Sequence, residues 1–437
     1  MRKKKHRGIS FGTILMLAIT LCVAGALAFV LPRLQGETEL NVDAGEMLSA
    51  LKLSDLPKLE KNDIPIQAQA TAEPTTAAAT AAPTLAPKTA EAVTTAAPTY
   101  EATLCFGGSV MVQSGVRKSA YYSAAKDYDF TDIFTLLASS MQSDFTMVTL
   151  ENLIVPSAKV SDTVAPEQIV PMLTGSGVNG VALGFPEVFD QGSAGVTSTI
   201  NALQGKGLAV IGAYTSAEDA ANVTTLTLGG MKVALLHYTS ALTNTGKKKI
   251  KNESAADLIP LVDTEKIASD ISRAKQQGAQ AVIVSLNWGS DGKTAVTKDQ
   301  KATAQTIADS GADMIIGAGS ETVQTVEWLS TSDGRQVLCA YSLGMLLGDS
   351  RKNANVAGLL LKVKIGLDAD GSLNIRQVTG VPTYIWRYKQ EGQYHYRVLP
   401  SNSLAPDGMD SDQISAMTKA LKTVQSALEG SPVSLGN

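Results

Sequence analysis

The sequence predicts an α/β fold in which a mixed sheet, or two stacked sheets, carries helices on its outer faces. Three observations lead there. From residue 100 onward, strand patterns alternate with helical ones, which implies parallel pairing with helices on the sheet faces. Residues 281–286, Ala-Val-Ile-Val-Ser-Leu, form a nearly unbroken β-branched apolar run, as in a strand buried on both faces. Gly229-Gly230 joins two strand-like runs, a hairpin signal that adds antiparallel pairing.

In chain order, residues 1–10 are a basic segment with Arg2, Lys3, Lys4, Lys5 and Arg7. Residues 11–31 are apolar and long enough to span a bilayer as a helix. The basic cluster before them places residues 1–10 in the cytoplasm and everything after residue 31 outside, at the cell membrane, single-pass. A cleaved signal peptide ending at Ala26-Leu27-Ala28 is the rival; the apolar run continues through Phe29-Val30-Leu31, which favours an uncleaved anchor. Residues 32–99 are a linker. A short amphipathic helix is expected over 44–56, and an extended Ala/Thr/Pro stalk follows it.

The folded domain is expected over 100–405, with a C-terminal helix and tail over 406–437. Strands are predicted over 103–106, 145–150, 180–183, 208–212, 224–228, 232–237, 281–286, 313–316, 336–342 and 359–365. Helices are predicted over 132–141, 168–175, 193–204, 264–277, 298–310 and 410–428, the last after a Pro-containing connection.

A formal net charge of −4 on 437 residues argues against a general nucleic-acid binder. There are 3 cysteines and 3 histidines. Cys105 and Cys339 fall in predicted core strands and read as buried free thiols, with one disulfide as the alternative if those strands are neighbours. Scarce histidine leaves few imidazoles for metal binding or general base work.

At the strand ends the composition turns polar, where ligands gather in open α/β sheets. The ends read Phe106-Gly107-Gly108, Thr149-Leu150-Glu151-Asn152, Leu183-Gly184-Phe185-Pro186-Glu187 with Asp190 and Gly192 following, Asn287-Trp288-Gly289-Ser290-Asp291, and Gly317-Ala318-Gly319-Ser320-Glu321. Further on come Val326-Glu327 and Tyr341-Ser342-Leu343-Gly344. In order and framing, residues 103–400 resemble the CapA-type poly-γ-glutamate capsule biosynthesis proteins. That resemblance implies a four-layer α-β-β-α sandwich similar to calcineurin-like metallophosphatases. The family's motifs are Phe-x-Gly-Asp, Asn-Leu-Glu, Leu-Ala-Asn-Asn-His, His-Trp-Gly-x-Glu and Gly-x-His-Pro-His. Here the glutamate survives as Glu151, Gly108 is read at the aspartate, and Phe185-Pro186-Glu187 replaces Asn-Asn-His. Asn287 stands at the first histidine of the fourth motif, and Met345 at the asparagine expected after Gly344.

The expected site is therefore a remnant cleft lined by Glu151, Asn152, Glu187, Asp190, Asn287, Trp288, Asp291 and Glu321, with no cofactor and no transition metal. A hard divalent cation on the carboxylates is the minor alternative; the bland one makes Glu151 and Asp190 structural hydrogen-bonders. Trp288 reads as closing a core more than stacking a ligand. His237 is the only histidine within a predicted strand and has no partner of known position, and no GxSxG elbow or P-loop spacing occurs. Lys247-Lys248-Lys249-Ile250-Lys251 is placed in a long loop, either as solvated surface or as a contact for an anionic polymer. The expected function is a membrane-anchored, non-catalytic subunit binding or scaffolding in capsule or wall-polymer assembly, its partners an anionic surface polymer or other assembly proteins. The alternatives are an active hydrolase or transferase on a γ-glutamyl or phosphoester substrate with a carboxylate-rich metal site, and a surface interaction module without a polymer role.

Overall fold

The computed structural model describes residues 100–368 and 371–436. The expected anchor, basic segment and linker lie outside the described residues, and no described helix is long and apolar enough to cross a membrane.

The apolar run is a central strand. With β1 Glu101–Val110, β2 Phe145–Leu150, β3 Gly180–Ala182, β4 Ala209–Ile211, β5 Thr224–Leu228 and β6 Met231–Thr239 before it, it is β7, Ala281–Asn287. Every residue of β7 is buried. Then follow β8 Met314–Ala318, β9 Val326–Ser330, β10 Gln336–Ala340, β11 Met345–Leu347, β12 Ala357–Leu367, β13 Leu373–Gln390 and β14 Gln393–Pro400. One sheet runs β14-β13-β12-β1-β2-β3-β4, with β11 beside β1; the other runs β9-β10-β8-β7-β6-β5. Pairing is parallel at β1–β2–β3–β4 and at β6–β7–β8–β10. The two sheets are therefore mixed, with antiparallel strands at their flanks.

Alternation along the second sheet shows how it is covered. Val233, Leu235, Ala281, Ile283, Met314 and Ile316 join the core shared with the first sheet. Their neighbours Ala234, Leu236, Val282, Val284 and Ile315 point the other way. There they meet Ile267 and Ile271 of the helix Thr264–Gln276 and Ala304 and Ile307 of the helix Lys298–Asp309. Period-two strands against period-3.6 helices thus build two apolar layers from one sheet. On the first sheet, β2 is buried along its length, so both of its faces are covered. The helix Gly192–Gln204 contacts β4, and the helix Ser411–Ala427 contacts β12 and β13.

Most predicted elements occur within a residue or two of the expected bounds. Gly229 and Gly230 both have positive φ, 53° and 80°, as a two-residue hairpin turn matching strand twist requires. Four readings need correction. Residues 132–141 are mainly turns, helical only over Ala138–Met141. The lysine run is no loop but part of the helix Asn244–Glu253, started by Thr243, whose hydroxyl accepts from Gly246 N–H. The supposed Pro-containing connection is the long hairpin β13–β14. Pro382 fits because its carbonyl accepts from Ser401 N–H just past β14, so the side lacking an N–H faces the end of that strand. His237 is not the only strand histidine, since His395 lies in β14. Cys105 and Cys339 are buried free thiols in different sheets.

Candidate functional site: a carboxylate cluster at the strand ends

Parallel strands β1, β2, β7 and β8 deliver their carboxyl ends to one place. Glu151 follows β2 and is 7 % exposed. Its Oε1 accepts from the Ser109 hydroxyl at 2.5 Å and from the Asn287 amide at 3.2 Å. Three strands therefore meet on one carboxylate. Burial pushes the Glu151 carboxyl up to about 7; Ser109 opposes this, and the charges of Glu321, Glu187 and Asp291 add to it.

Those three acids complete an acidic cluster with Glu151. Glu187 follows β3 and is half-buried, raised by burial and then by Asp190 and Asp291. Glu321 follows β8, raised by burial and then by Asp291. It has φ 58°, a left-handed backbone that a non-glycine residue holds only when its surroundings enforce it. Buried Asn355 supplies that restraint by donating its amide to the Glu321 carboxylate at 2.5 Å. Asp291 is exposed at the rim.

The other expected site residues are placed differently. The Asn152 carbonyl oxygen accepts from Val112 N–H at 2.6 Å, and its amide donates to the Asp162 carbonyl at 2.9 Å, so it ties two loops together. The Asp190 carboxylate accepts from the Thr243 hydroxyl and its backbone carbonyl from Lys249 Nζ, which anchors the lysine helix. Trp288 points into the outer core, where its Nε1 donates to the Tyr341 carbonyl at 2.8 Å and its ring stacks on Tyr341 at 5.9 Å. Gly319, φ 98°, lets the chain approach Asn287; a Cβ there would lie 2.8 Å from Asn287 Oδ1.

Ser109 is the residue that sequence reading missed. A Cβ on Gly108 would lie 2.0 Å from the Gly344 carbonyl, so Gly108 is a packing glycine. Counting Phe-x-Gly-Asp from Phe106 puts the aspartate position at Ser109, and that side chain faces Glu151.

A two-metal hydrolytic centre needs several imidazoles and a bridging carboxylate. The donors at these strand ends are a serine, an amide and four carboxylates, and Glu151 is already held between Ser109 and Asn287. Among the described residues no group of three or more His, Cys, Asp or Glu side chains is arranged to hold a metal ion. His237 offers no substitute. Its Nε2 donates to the Gly184 carbonyl at 3.0 Å, which leaves Nδ1 to accept from the Ser285 hydroxyl at 3.0 Å. Burial lowers its pKa to about 4. The residues present do not fit a transition-metal pair.

Together these features define a two-sheet α/β sandwich with an acidic cluster where its parallel strands end. The chain belongs to the bacterial capsule synthesis protein family PGA_cap, whose family model matches residues 103–350. It is 26% identical over 185 residues to the capsule biosynthesis protein CapA of Bacillus anthracis, covering 42% of this chain and 44% of that protein. It is 26% identical over 199 residues to the PGA biosynthesis protein CapA of Bacillus subtilis (strain 168), covering 44% of this chain and 50% of that one. The matches thus span about half the length of these curated relatives. Among solved structures it is similar to the Haemophilus influenzae NAD nucleotidase, with TM-score 0.40, 11% identity, and 77% and 64% of the two chains covered. It is also similar to the calcineurin-like phosphoesterase YfkN of Bacillus subtilis, with TM-score 0.36, 11% identity, and 76% and 99% covered.

Proposed function

We propose that this chain acts in the assembly of poly-γ-glutamate or a related anionic surface polymer as a binding or scaffolding subunit without metal-dependent hydrolysis. Residues 11–31 would anchor it, with the folded domain outside the membrane. The observation that supports this most is the tethering of Glu151. The carboxylate at the family's second motif is held by a hydroxyl and an amide, and the imidazole that reaches the neighbouring strand ends, His237, is buried and tied to the Gly184 carbonyl and the Ser285 hydroxyl. Elemental analysis of the purified chain tests it: no stoichiometric tightly bound manganese, iron or zinc is expected, and finding one would refute the reading.

One observation favours a second reading. A buried carboxyl raised to about 7 has the proton affinity of a general acid or base at neutral pH. Under that reading the acidic cluster is an active site for a γ-glutamyl or phosphoester substrate. Hydrolysis of either by the chain, abolished in Glu151→Gln, would select it; activity unchanged by that substitution would count against it.

A further inference from the structure

Two hairpins, one between β1 and β2 in sequence and one from β13–β14, enclose an open groove of about 740 Å³. One carries Tyr121–Tyr122 against Asp127–Tyr128; the other is the tip of β13–β14. Five of the chain's 11 tyrosines line it: Tyr121, Tyr122, Tyr128, Tyr388 and Tyr396. Tyr121 and Tyr122 are 42% and 64% exposed, although aromatic residues make up only 5% of the sequence. Exposed rings gathered on one concavity mark a recognition surface more than a core.

The rings form two walls. Tyr121 packs edge-on against Tyr128 at 5.2 Å between ring centroids, and Tyr128 stacks on Phe130 at 5.9 Å. On the other hairpin, Trp386, Tyr388 and His395 make a continuous stack with spacings of 4.4 and 5.5 Å, of which Tyr388 and His395 line the groove and Trp386 is buried behind them. Between the walls stand fixed hydrogen-bonding groups. Asp127 accepts from Tyr128 N–H and the Gln168 amide, and Asp129 from the Thr131 N–H and hydroxyl. Both carboxylates are held in place and, with two oxygens each, keep lone pairs for further donors. Gln390 and Gln393 add amides that donate and accept.

Charge decides the ligand class. No lysine or arginine is among the residues lining the groove, while Asp127, Asp129, Asp132 and Glu391 are, so a polyanion is repelled. A cationic ligand would seek carboxylates and open ring faces. The chain's own guanidinium groups already take several of these: Arg397 pairs with Asp132 at 3.3 Å and lies over Tyr388 at 6.0 Å, and Arg387 covers Tyr394 at 4.5 Å. What remains is exposed tyrosine beside fixed acceptors and amides. Uncharged sugars fit this chemistry, since their C–H faces lie on rings and their hydroxyls both donate and accept.

We propose that this groove binds an uncharged oligosaccharide. The proposal stands apart from the polymer role, because the groove shares no residue with the acidic cluster or the lysine helix. The test is titration of the purified full chain with N-acetylated chitotetraose and with cellotetraose, followed by calorimetry and by tryptophan fluorescence. Saturable binding of at least one sugar is expected, weakened about tenfold or more by Tyr121→Ala/Tyr122→Ala. Lys206→Glu, at an exposed position outside the groove, should leave it unchanged. Gln393→Ala, at an exposed position, supplies a second reading if the double variant unfolds. The proposal is overturned if neither sugar binds, if binding survives these substitutions, or if tetralysine binds in the sugars' place with the same sensitivity.

Discussion

Glu151 and His237 are buried titratable side chains whose shifts run in opposite directions. The folded state holds the Glu151 proton up to about pH 7, against an ordinary value of 4.5. Its contribution to stability is therefore full below 4.5 and is lost as pH rises through 7. Glu151→Gln keeps an acceptor for Ser109 and Asn287 but has no charge to bury. It should leave stability nearly unchanged at pH 4 and raise it by about 1–3 kcal/mol at pH 8. Urea unfolding at both pH values checks this; an equal effect at the two would sink the idea. His237, lowered to about 4 from 6.5, contributes stability that is full above 6.5 and is lost as pH falls through 4. At this scale the site was half legible. Glu151 and Asn287 were readable as the polar ends of apolar strands. Asn152, Asp190 and Trp288 have the same residue types, but their partners lie in distant loops: Val112 for Asn152, Thr243 for Asp190 and Tyr341 for Trp288. No local pattern reveals such partners.

The helix Thr264–Gln276 shows how one buried charge fastens an element to the sheet. Asp270 is 5% exposed and accepts from the Tyr238 hydroxyl of β6 at 2.8 Å, from Arg273 at 2.6 Å and from Lys266 at 3.2 Å. Removing it leaves a buried phenol and two cations without their acceptor. Asp270→Ala should therefore destabilise the domain by about 3–5 kcal/mol, and Asp270→Asn by less. A lowered urea midpoint with an unchanged slope is expected; a shift worth under about 1 kcal/mol would show that water replaces the carboxylate without loss. The helix itself was readable, because Asp263 caps it and Ile267, Ile271 and Ala274 recur on one face. The lysine helix was not, since only Gly246 among its residues is buried and it presents no apolar stripe. Strand β13 was hidden for a different reason. Gly380 and Pro382 read as breakers, but β13 runs through both, with Gly380 giving room to Val433 and Pro382 placed at the end of its partner strand.

Across the molecule, charge is segregated, and this yields the last prediction. The strand ends gather Glu151, Glu187, Asp291 and Glu321, which repel an anionic chain. On the lysine helix, Lys247, Lys248 and Lys251 are exposed, while Lys249 donates to the Asp190 carbonyl. If the chain engages poly-γ-glutamate, as proposed, contact falls on that helix and is driven by Coulomb attraction rather than by a shaped pocket. Attraction of that kind is screened within roughly 10 Å at 0.1 M salt and about 3 Å at 1 M. Poly-γ-glutamate should therefore bind the full chain at low salt and be released at high salt. Lys247→Glu/Lys248→Glu/Lys251→Glu should reduce binding to background with unchanged circular dichroism, because these residues are exposed. Glu187→Gln/Glu321→Gln should strengthen it slightly by removing repulsion. Co-sedimentation of labelled polymer measures all three. Binding that ignores both salt and the lysine reversals would place the polymer elsewhere and remove the charge-based account of the partner.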